Sequence, residues 1–317
     1  MNSSTVDNAE KRPLFATGRQ AGARVAGYLN TKYPPAQALA IALAAFTAYL
    51  AGGRLGGGEP SLGWPAVAAS GTGSLLFLQV RLLDDLDTHY SGHDRIKHGT
   101  PRGLLAGVGV TTAIIIALNP EPGVVGFAIL PTAVMLGASL VLALWCPLRT
   151  STPLTRRRPD LIALVFGRIP LFDAGPVLAF LYVTAKWEES TGRDLSGVAV
   201  LLVVGVFWVL YEIWKMSRNI GRYEGYDDIY QPYRMSWLHQ RVFTAILATG
   251  SLALSVALYA TADLSVGFLI YAAVLSFALA ALALSGRHEA GRPWWRGLLF
   301  PAAMIVGLLT QFLVTAA

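Results

Sequence analysis

Apolar stretches of membrane-spanning length recur along most of the 317-residue chain, and this recurrence limits what the chain can fold into. Runs of about 17–25 apolar residues are long enough to cross a bilayer as α-helices. Charged residues make up 14% of the chain and the mean hydropathy is +0.50, whereas about a quarter of the residues of a typical soluble domain are charged. The sequence therefore predicts an all-α membrane protein that crosses the bilayer many times.

Nine spans are predicted, with the N-terminus in the cytosol. They cover residues 35–51, 65–83, 103–118, 124–145, 161–185, 195–214, 242–259, 264–284 and 297–314. This topology places most Lys and Arg residues in cytosolic segments, as the positive-inside rule requires, and leaves only Arg54, Lys186 and Arg193 in the other connections. Trp187 falls near a predicted span end, where interfacial aromatic residues are common. Residues 1–33 are predicted to be a polar cytosolic tail and residues 34–317 the transmembrane domain.

The connection after the second predicted span begins with an acidic motif. Within residues 81–94, aspartates occupy positions 84, 85, 87 and 94, and Arg81 precedes them. If the span continues as a helix, Asp84 and Asp87 share one face, and Asp85 faces partly away. Carboxylates at the end of a membrane helix are costly unless a cation neutralises them. Mg²⁺ is the predicted cation, because it binds through a few carboxylates together with substrate phosphates.

A second acidic motif, Glu224-Gly-Tyr-Asp-Asp228, follows the sixth predicted span. Both motifs follow even-numbered spans, so both are predicted on the cytosolic side, at equivalent places in two successive four-helix units. Two carboxylate groups that face each other across a cavity can hold Mg²⁺ against a diphosphate. The predicted metal ligands are Asp84, Asp85, Asp87, Glu224, Asp227 and Asp228.

Basic side chains are predicted at the same mouth: Arg81, Lys97, Arg102, Lys215, Arg218 and Arg222. A metal ion and basic groups together neutralise a diphosphate leaving group as the carbon–oxygen bond breaks. The alternative is that each acidic and basic cluster is merely a solvated surface, but two clusters at equivalent places favour a site. The loop histidines, at positions 89, 93 and 98, are not predicted to bind metal, because the single cysteine provides no accompanying thiolate pattern.

The fifth predicted span contains two ionisable residues, Arg168 and Asp173, on either side of the kink-prone Pro170. Intramembrane ionisable residues usually face the interior of a helix bundle and mark a site or pathway, although a buried structural pair is the alternative. In the sixth span, the aromatic residues 207, 208, 211 and 214 could line a cavity and stabilise a carbocation, or could equally be packing contacts.

The motifs of this chain resemble those of the UbiA superfamily of intramembrane prenyltransferases. The likeness covers most of the chain and depends on the phrase Arg81-Leu-Leu-Asp-Asp…Thr100-Pro-Arg-Gly103 and on Glu212…Lys215…Glu224-Gly-Tyr-Asp-Asp. The common first motif of that superfamily is Asn-Asp-x-x-Asp-x-x-x-Asp, and in this chain Leu83 or Asp84 stands in place of its asparagine.

The resemblance implies a helix bundle around a central cavity, in a cell membrane, with the mouth facing the cytosol. It also implies Mg²⁺-dependent ionisation of an isoprenyl diphosphate and transfer of the prenyl group to an apolar or aromatic acceptor. Nucleic acid is not an expected partner. Arg81, Lys97, Lys215, Arg218, Arg168 and Asp173 are the predicted catalytic residues. The alternatives are a terpene cyclase of the same superfamily, which needs no acceptor, and a secondary transporter or non-catalytic membrane scaffold.

Overall fold

The computed structural model describes residues 18–57, 62–90, 100–150, 162–219 and 237–262, with a few helical residues between 266 and 277. Eight α-helices account for nearly all of the described chain, and this part contains no β-strand. The helices are α1 (Gly18–Lys32), α2 (Pro35–Leu55), α3 (Trp64–Tyr90), α4 (Pro101–Leu118), α5 (Pro122–Thr150), α6 (Gly175–Thr191), α7 (Gly197–Asn219) and α8 (Trp237–Thr261). The prediction of an all-α protein is confirmed for the described residues.

Six helical segments within the described residues are long and apolar enough to cross a membrane. They correspond to the first five and the seventh of the predicted spans, and α7, whose apolar part is shorter, corresponds to the sixth. The eighth predicted span, 264–284, is described only in fragments, and the ninth, 297–314, lies outside the described residues. The count of nine spans and the cytosolic N-terminus therefore stay predictions.

A π-helical region precedes α6. Ala163–Arg168 and Pro170–Ala174 are both π-helical, and the N–H of Gly175 donates to the carbonyl oxygen of Pro170, five residues earlier. Pro170 cannot donate a backbone hydrogen bond, which favours an irregularity in the helix at this point. Single π-helical turns inside longer helices occur frequently at functional sites. The sequence predicted a kink at Pro170 but not the change of helix type.

Glycines let α2, α3 and α6 approach closely. A Cβ atom at Gly73 of α3 would lie 2.6 Å from the Cβ of Ala45 in α2, and one at Gly52 would overlap the backbone carbonyl of Thr184 in α6. Small residues at helix contacts are the usual means by which membrane helices pack, because lipid provides little hydrophobic driving force for association. These three helices form the centre of the described bundle.

Trp187 packs against the C-terminal end of α2. Its side chain is 1% exposed, and its indole ring fills the space that a side chain at Gly56 would need. The interfacial position of Trp187 stays a prediction, whereas the burial of its ring against α2 was not predicted. The missing side chain at Gly56 leaves a groove for the ring, and this groove cannot be recognised from the position of a tryptophan along the chain.

Polar side chains cross-link the interior of the bundle. Gln79 of α3 donates through Nε2 to the hydroxyls of Thr111 and Thr112 in α4, at 3.0 Å in both cases. Its carbonyl oxygen accepts a 2.6 Å hydrogen bond from Thr132 in α5. Buried amides are tolerated among membrane helices when neighbouring helices supply partners, so Gln79 fixes α3 relative to α4 and α5.

A second polar link lies near the end of the bundle where α4 finishes. Asn119 donates through Nδ2 to the Thr72 hydroxyl at 2.9 Å and accepts a hydrogen bond from the hydroxyl of Tyr182. All three side chains are buried. The contact connects the N-terminal part of α3 to α4 and α6, so it lies at the opposite end of α3 from the acidic motif.

Candidate functional site

The first acidic motif lies at the C-terminal end of α3. This helix continues to Tyr90, beyond the predicted end of the span at residue 83. Asp84 and Asp87 are therefore three residues apart on one continuous helix and share a face of it. The side chain of Asp87 is outside the described part of the structure, and the contacts of this motif are described for Asp84 and Asp85.

Asp85 is held by two side chains of the N-terminal helix α1. The ammonium group of Lys32 donates to Oδ1 and the hydroxyl of Tyr28 donates to Oδ2, both at 2.8 Å. The Asp85 side chain is 9% exposed. A carboxylate buried to this extent is stable only when it is paired and hydrogen-bonded, and α1 provides both.

Asp84 is more accessible and lies among several charges. Its side chain is 35% exposed, and Oδ2 lies 3.7 Å from Nη1 of Arg81, one helical turn earlier. Lys32 and Arg168 also exert an attractive electrostatic effect on Asp84, whereas Asp85 repels it. Lys32 and Arg81 therefore lie beside the two carboxylates, and the charge of Arg168 adds a weaker attraction to Asp84.

Arg168, in the π-helical region, acts on the acidic motif through its charge. It ends the first π-helical segment and is half-buried, and its charge acts on Asp84 although 84 residues separate them in sequence. Asp173 lies in the second π-helical segment and is also half-buried. The structure thus associates one of the two predicted intramembrane ionisable residues, Arg168, with the acidic motif of α3.

Two tyrosines beside the cluster are kept neutral. Burial, reinforced by the negative charge of Asp85, raises the pKa of Tyr28 well above its usual value. Burial also raises the pKa of Tyr33 to about 12, and its hydroxyl donates to the backbone carbonyl of Ser74 at 2.9 Å. Both phenols therefore stay protonated hydrogen-bond donors to a higher pH than an exposed tyrosine would.

Aromatic rings pack beneath the cluster, between α3, α6 and α7. Phe77 lies against Phe180 and Tyr211, at ring-centroid distances of 5.4 and 5.1 Å, and Phe180 stacks on Phe207 at 5.3 Å. Phe207 and Tyr211 are thus packing contacts in this conformation, and Glu212, which follows them, is 7% exposed. Backbones of Lys215 and Arg218 lie further along α7, but their side chains are outside the described part of the structure.

The turn that starts α4 contains the Thr100-Pro-Arg-Gly103 phrase of the resemblance. The hydroxyl of Thr100 accepts a hydrogen bond of 3.1 Å from the N–H of Gly103, and Pro101 is the first helical residue. Threonine at the N-cap followed by proline is a favoured helix start. The remaining predicted site residues are outside the described part of the structure: Lys97, Glu224, Asp227 and Asp228.

Carboxylate oxygens are the metal-binding atoms that the described part of the cluster offers. No three of the described Asp, Glu, His or Cys side chains form a group that could hold a metal ion. Asp84 and Asp85 supply hard oxygen atoms of the kind that Mg²⁺ prefers, and Mg²⁺ commonly binds through one or two carboxylates plus substrate phosphates. The donor chemistry therefore fits this ion, with Asp84 the more accessible of the two carboxylates.

Lys32 and Tyr28 are the site residues that sequence reasoning missed. Lys32 was interpreted as one of several topology-determining charges, and residues 1–33 were treated as a polar tail, although 18–32 form α1. Their spacing of i and i+4, immediately before the first span, places both side chains on one helix face and was the available signal.

Comparison of the chain with protein-family models, curated proteins and solved structures finds no match. Function must therefore be inferred from the chemistry of the residues.

Proposed function

We propose that this chain is a Mg²⁺-dependent intramembrane prenyltransferase that ionises an isoprenyl diphosphate and transfers the prenyl group to an apolar or aromatic acceptor. The observation that carries the proposal is the cluster at the end of α3, where Asp84 lies among Arg81, Lys32 and Arg168. Carboxylates and cations concentrated at the end of membrane-length helices suit a substrate with a charged head and an apolar chain.

Each described part of the cluster has a role in this reaction. Arg81 and Arg168 bind the diphosphate oxygens and stabilise the negative charge that develops on them as the allylic carbon–oxygen bond breaks. Asp84 holds the metal ion, which supplies further neutralisation of the leaving diphosphate when it is bound. The diphosphate leaves with the bonding electron pair, and the acceptor forms the new bond to the allylic carbon and releases a proton.

Amphipathic substrates of this kind fit the gradient of polarity in the bundle. The charged cluster lies at the end of α3, and the buried ring group of Phe77, Phe180 and Phe207 lies about two turns deeper along the bundle. Aromatic faces attract cations, so these rings are suited to the neighbourhood of an allylic carbocation. If the enzyme cyclises the prenyl chain instead of transferring it, the same rings would protect the cation from water.

The test is incubation of the purified protein, in detergent with Mg²⁺, with geranyl, farnesyl and geranylgeranyl diphosphates in separate reactions. Released pyrophosphate and the organic-phase products are measured, with and without a membrane lipid extract as a source of acceptor. We expect metal-dependent release that Asp84→Asn abolishes. The matched control is Asp194→Asn, an exposed carboxylate in the connection after α6, which should leave the rate unchanged.

The products separate the possible functions. Prenylated acceptor formed only in the presence of the extract supports the transferase, whereas a cyclic hydrocarbon formed from the diphosphate alone identifies a terpene cyclase. Absence of pyrophosphate release with every donor, with folded protein confirmed by gel filtration, would contradict both enzymatic functions. Solute uptake into proteoliposomes that Asp84→Asn does not affect would instead indicate a transporter.

A further inference from the structure

The two carboxylates of the α3 motif have different partners. Asp85 has a hydrogen bond on each oxygen, from Lys32 and from Tyr28, and is 9% exposed. Asp84 has its Arg81 contact at the longer distance of 3.7 Å and is 35% exposed. Asp84 is thus the more exposed of the two carboxylates, and a cation can reach Asp85 only by displacing the contacts of α1.

Most of α1 has no other firm attachment to the described bundle. Residues 22–27 are exposed, and Tyr28 and Leu29 are the α1 side chains that pack against the described core. A short helix of low hydrophobicity is marginal by itself in water and depends on contacts with the rest of the protein. The pair of hydrogen bonds to Asp85, together with the buried Tyr33 that follows Lys32, therefore fixes where the C-terminal turn of α1 lies.

We propose that Lys32 and Tyr28 are positioning residues for the acidic motif of α3. They bind Asp85 and so dock α1 beside the motif, and Asp84 is the carboxylate that binds the metal ion. The second part of this inference rests on the proposed function, whereas the docking of α1 does not. Lys32 also acts electrostatically on Asp84, so it contributes positive charge to the mouth as well as holding Asp85. Within the first acidic motif, Asp85 thus anchors α1 and Asp84 binds the metal ion.

Hydrogen–deuterium exchange of the α1 amides, measured on the full chain in detergent, tests the docking. Lys32→Met and Asp85→Asn should each speed exchange across residues 18–32, and the double variant should exchange no faster than Asp85→Asn alone, because that substitution already removes the partner of Lys32. Tyr28→Phe should have a smaller effect in the same direction. Lys32→Arg keeps a charged donor and should restore slow exchange, whereas Arg24→Gln, which removes an exposed charge from the same helix, should change nothing.

Additive effects of Lys32→Met and Asp85→Asn, or exchange equal to that of the parent protein in both, would overturn the inference that this contact docks α1. The bundle itself is checked in parallel by the exchange of α3 and α6 amides, which should be unchanged in Lys32→Met because Lys32 lies outside the candidate spans. This comparison separates loss of α1 docking from general unfolding.

Mn²⁺ binding, followed by electron paramagnetic resonance without substrate, tests the division between the two carboxylates. Asp84→Asn should weaken Mn²⁺ binding by at least about tenfold, and Asp85→Asn should weaken it clearly less. Equal losses would identify Asp85 as a ligand and overturn the division. Failure of the parent protein to bind Mn²⁺ would contradict the proposed function and with it the role of Asp84, whereas the exchange experiment decides separately whether Lys32 and Tyr28 dock α1.

Discussion

The hydroxyl of Thr132 in α5 donates a 2.6 Å hydrogen bond to the side-chain carbonyl of Gln79 in α3, and both residues are fully or nearly fully buried. Within the apolar part of the bundle, this contact fixes the rotation of α3 about its own axis. Asp84 and Asp85 follow on the same helix about one and a half turns later. The polar contact in the interior therefore determines which way the acidic motif faces.

Substitution of Gln79 by Leu should lower the stability of the protein in detergent. Thr132 loses its acceptor, whereas Thr111 and Thr112 keep their bonds to backbone carbonyls, so the expected cost is about 1–2 kcal/mol. Thermal unfolding of Gln79→Leu, Thr132→Val and the double variant measures it. A coupling energy near zero, instead of about 0.6 kcal/mol, would show that the two side chains act independently.

Substitution of Gly56 by Ala should also destabilise the protein. The new methyl group would overlap the ring of Trp187, and a forced shift in a packed interior costs about 1–3 kcal/mol. Gly137→Ala in α5 is the matched control: no atom lies within 4 Å of its added Cβ, and alanine is the better helix former. Equal unfolding temperatures for the two variants would contradict the described packing of Trp187.

Removal of the positive charge at Arg168 should slow pyrophosphate release. If Arg168 stabilises the departing diphosphate, Arg168→Gln should lower kcat by about 10²-fold, and Arg168→Lys should recover part of the loss. Steady-state kinetics with the best allylic diphosphate provides the measurement. Arg193→Gln is the control, because Arg193 is exposed and donates to the carbonyl of Gly57 at the other end of the bundle; a comparable loss in that variant would show that charge in general, and not position, is responsible.

Alkaline pH should weaken the fold through Tyr33. Its pKa is about 12 in the folded protein and near 10 when the chain is unfolded, so the unfolded state loses its proton first. The stabilisation is complete below pH 10 and is lost as the pH rises from 10 through 12, a change of about 2 kcal/mol. Tyr33→Phe should show a smaller loss of stability over this interval than the parent protein. The phenolate absorbance of the variant should lack one late-titrating group, and an unchanged titration would refute the assignment.

The sequence predicted those helices whose formation is determined by hydrophobicity alone. The spans containing Gln79 and Thr132 were predicted because runs of apolar residues of that length have few alternatives in a bilayer. Helix α1 was missed because it is polar and is held by two specific side chains, Tyr28 and Lys32. The burial of Trp187 was missed for a related reason, since it depends on a neighbouring glycine 131 positions earlier in the chain.

The sequence predicted which charged residues belong to the candidate site, but not which of them interact with each other. The charges at Asp84, Asp85 and Arg81 were predicted together because they are adjacent in sequence and on one helix. The association of Arg168 with Asp84 depends on how α3 and the π-helical region lie beside each other, which periodicity does not encode. The division between Asp84 and Asp85 required knowledge of α1.

The π-helical region before α6 also affects how the chain tolerates changes of length. Each π-helical turn contains one residue more than the corresponding α-helical turn, so deletion of a residue between 163 and 174 can be absorbed by reversion to an α-helix, without rotating α6. The same deletion within α3, between Gln79 and Asp84, would rotate the acidic motif by about 100° relative to its neighbours. Single-residue deletions should therefore be tolerated between residues 163 and 174 and not tolerated between Gln79 and Asp84.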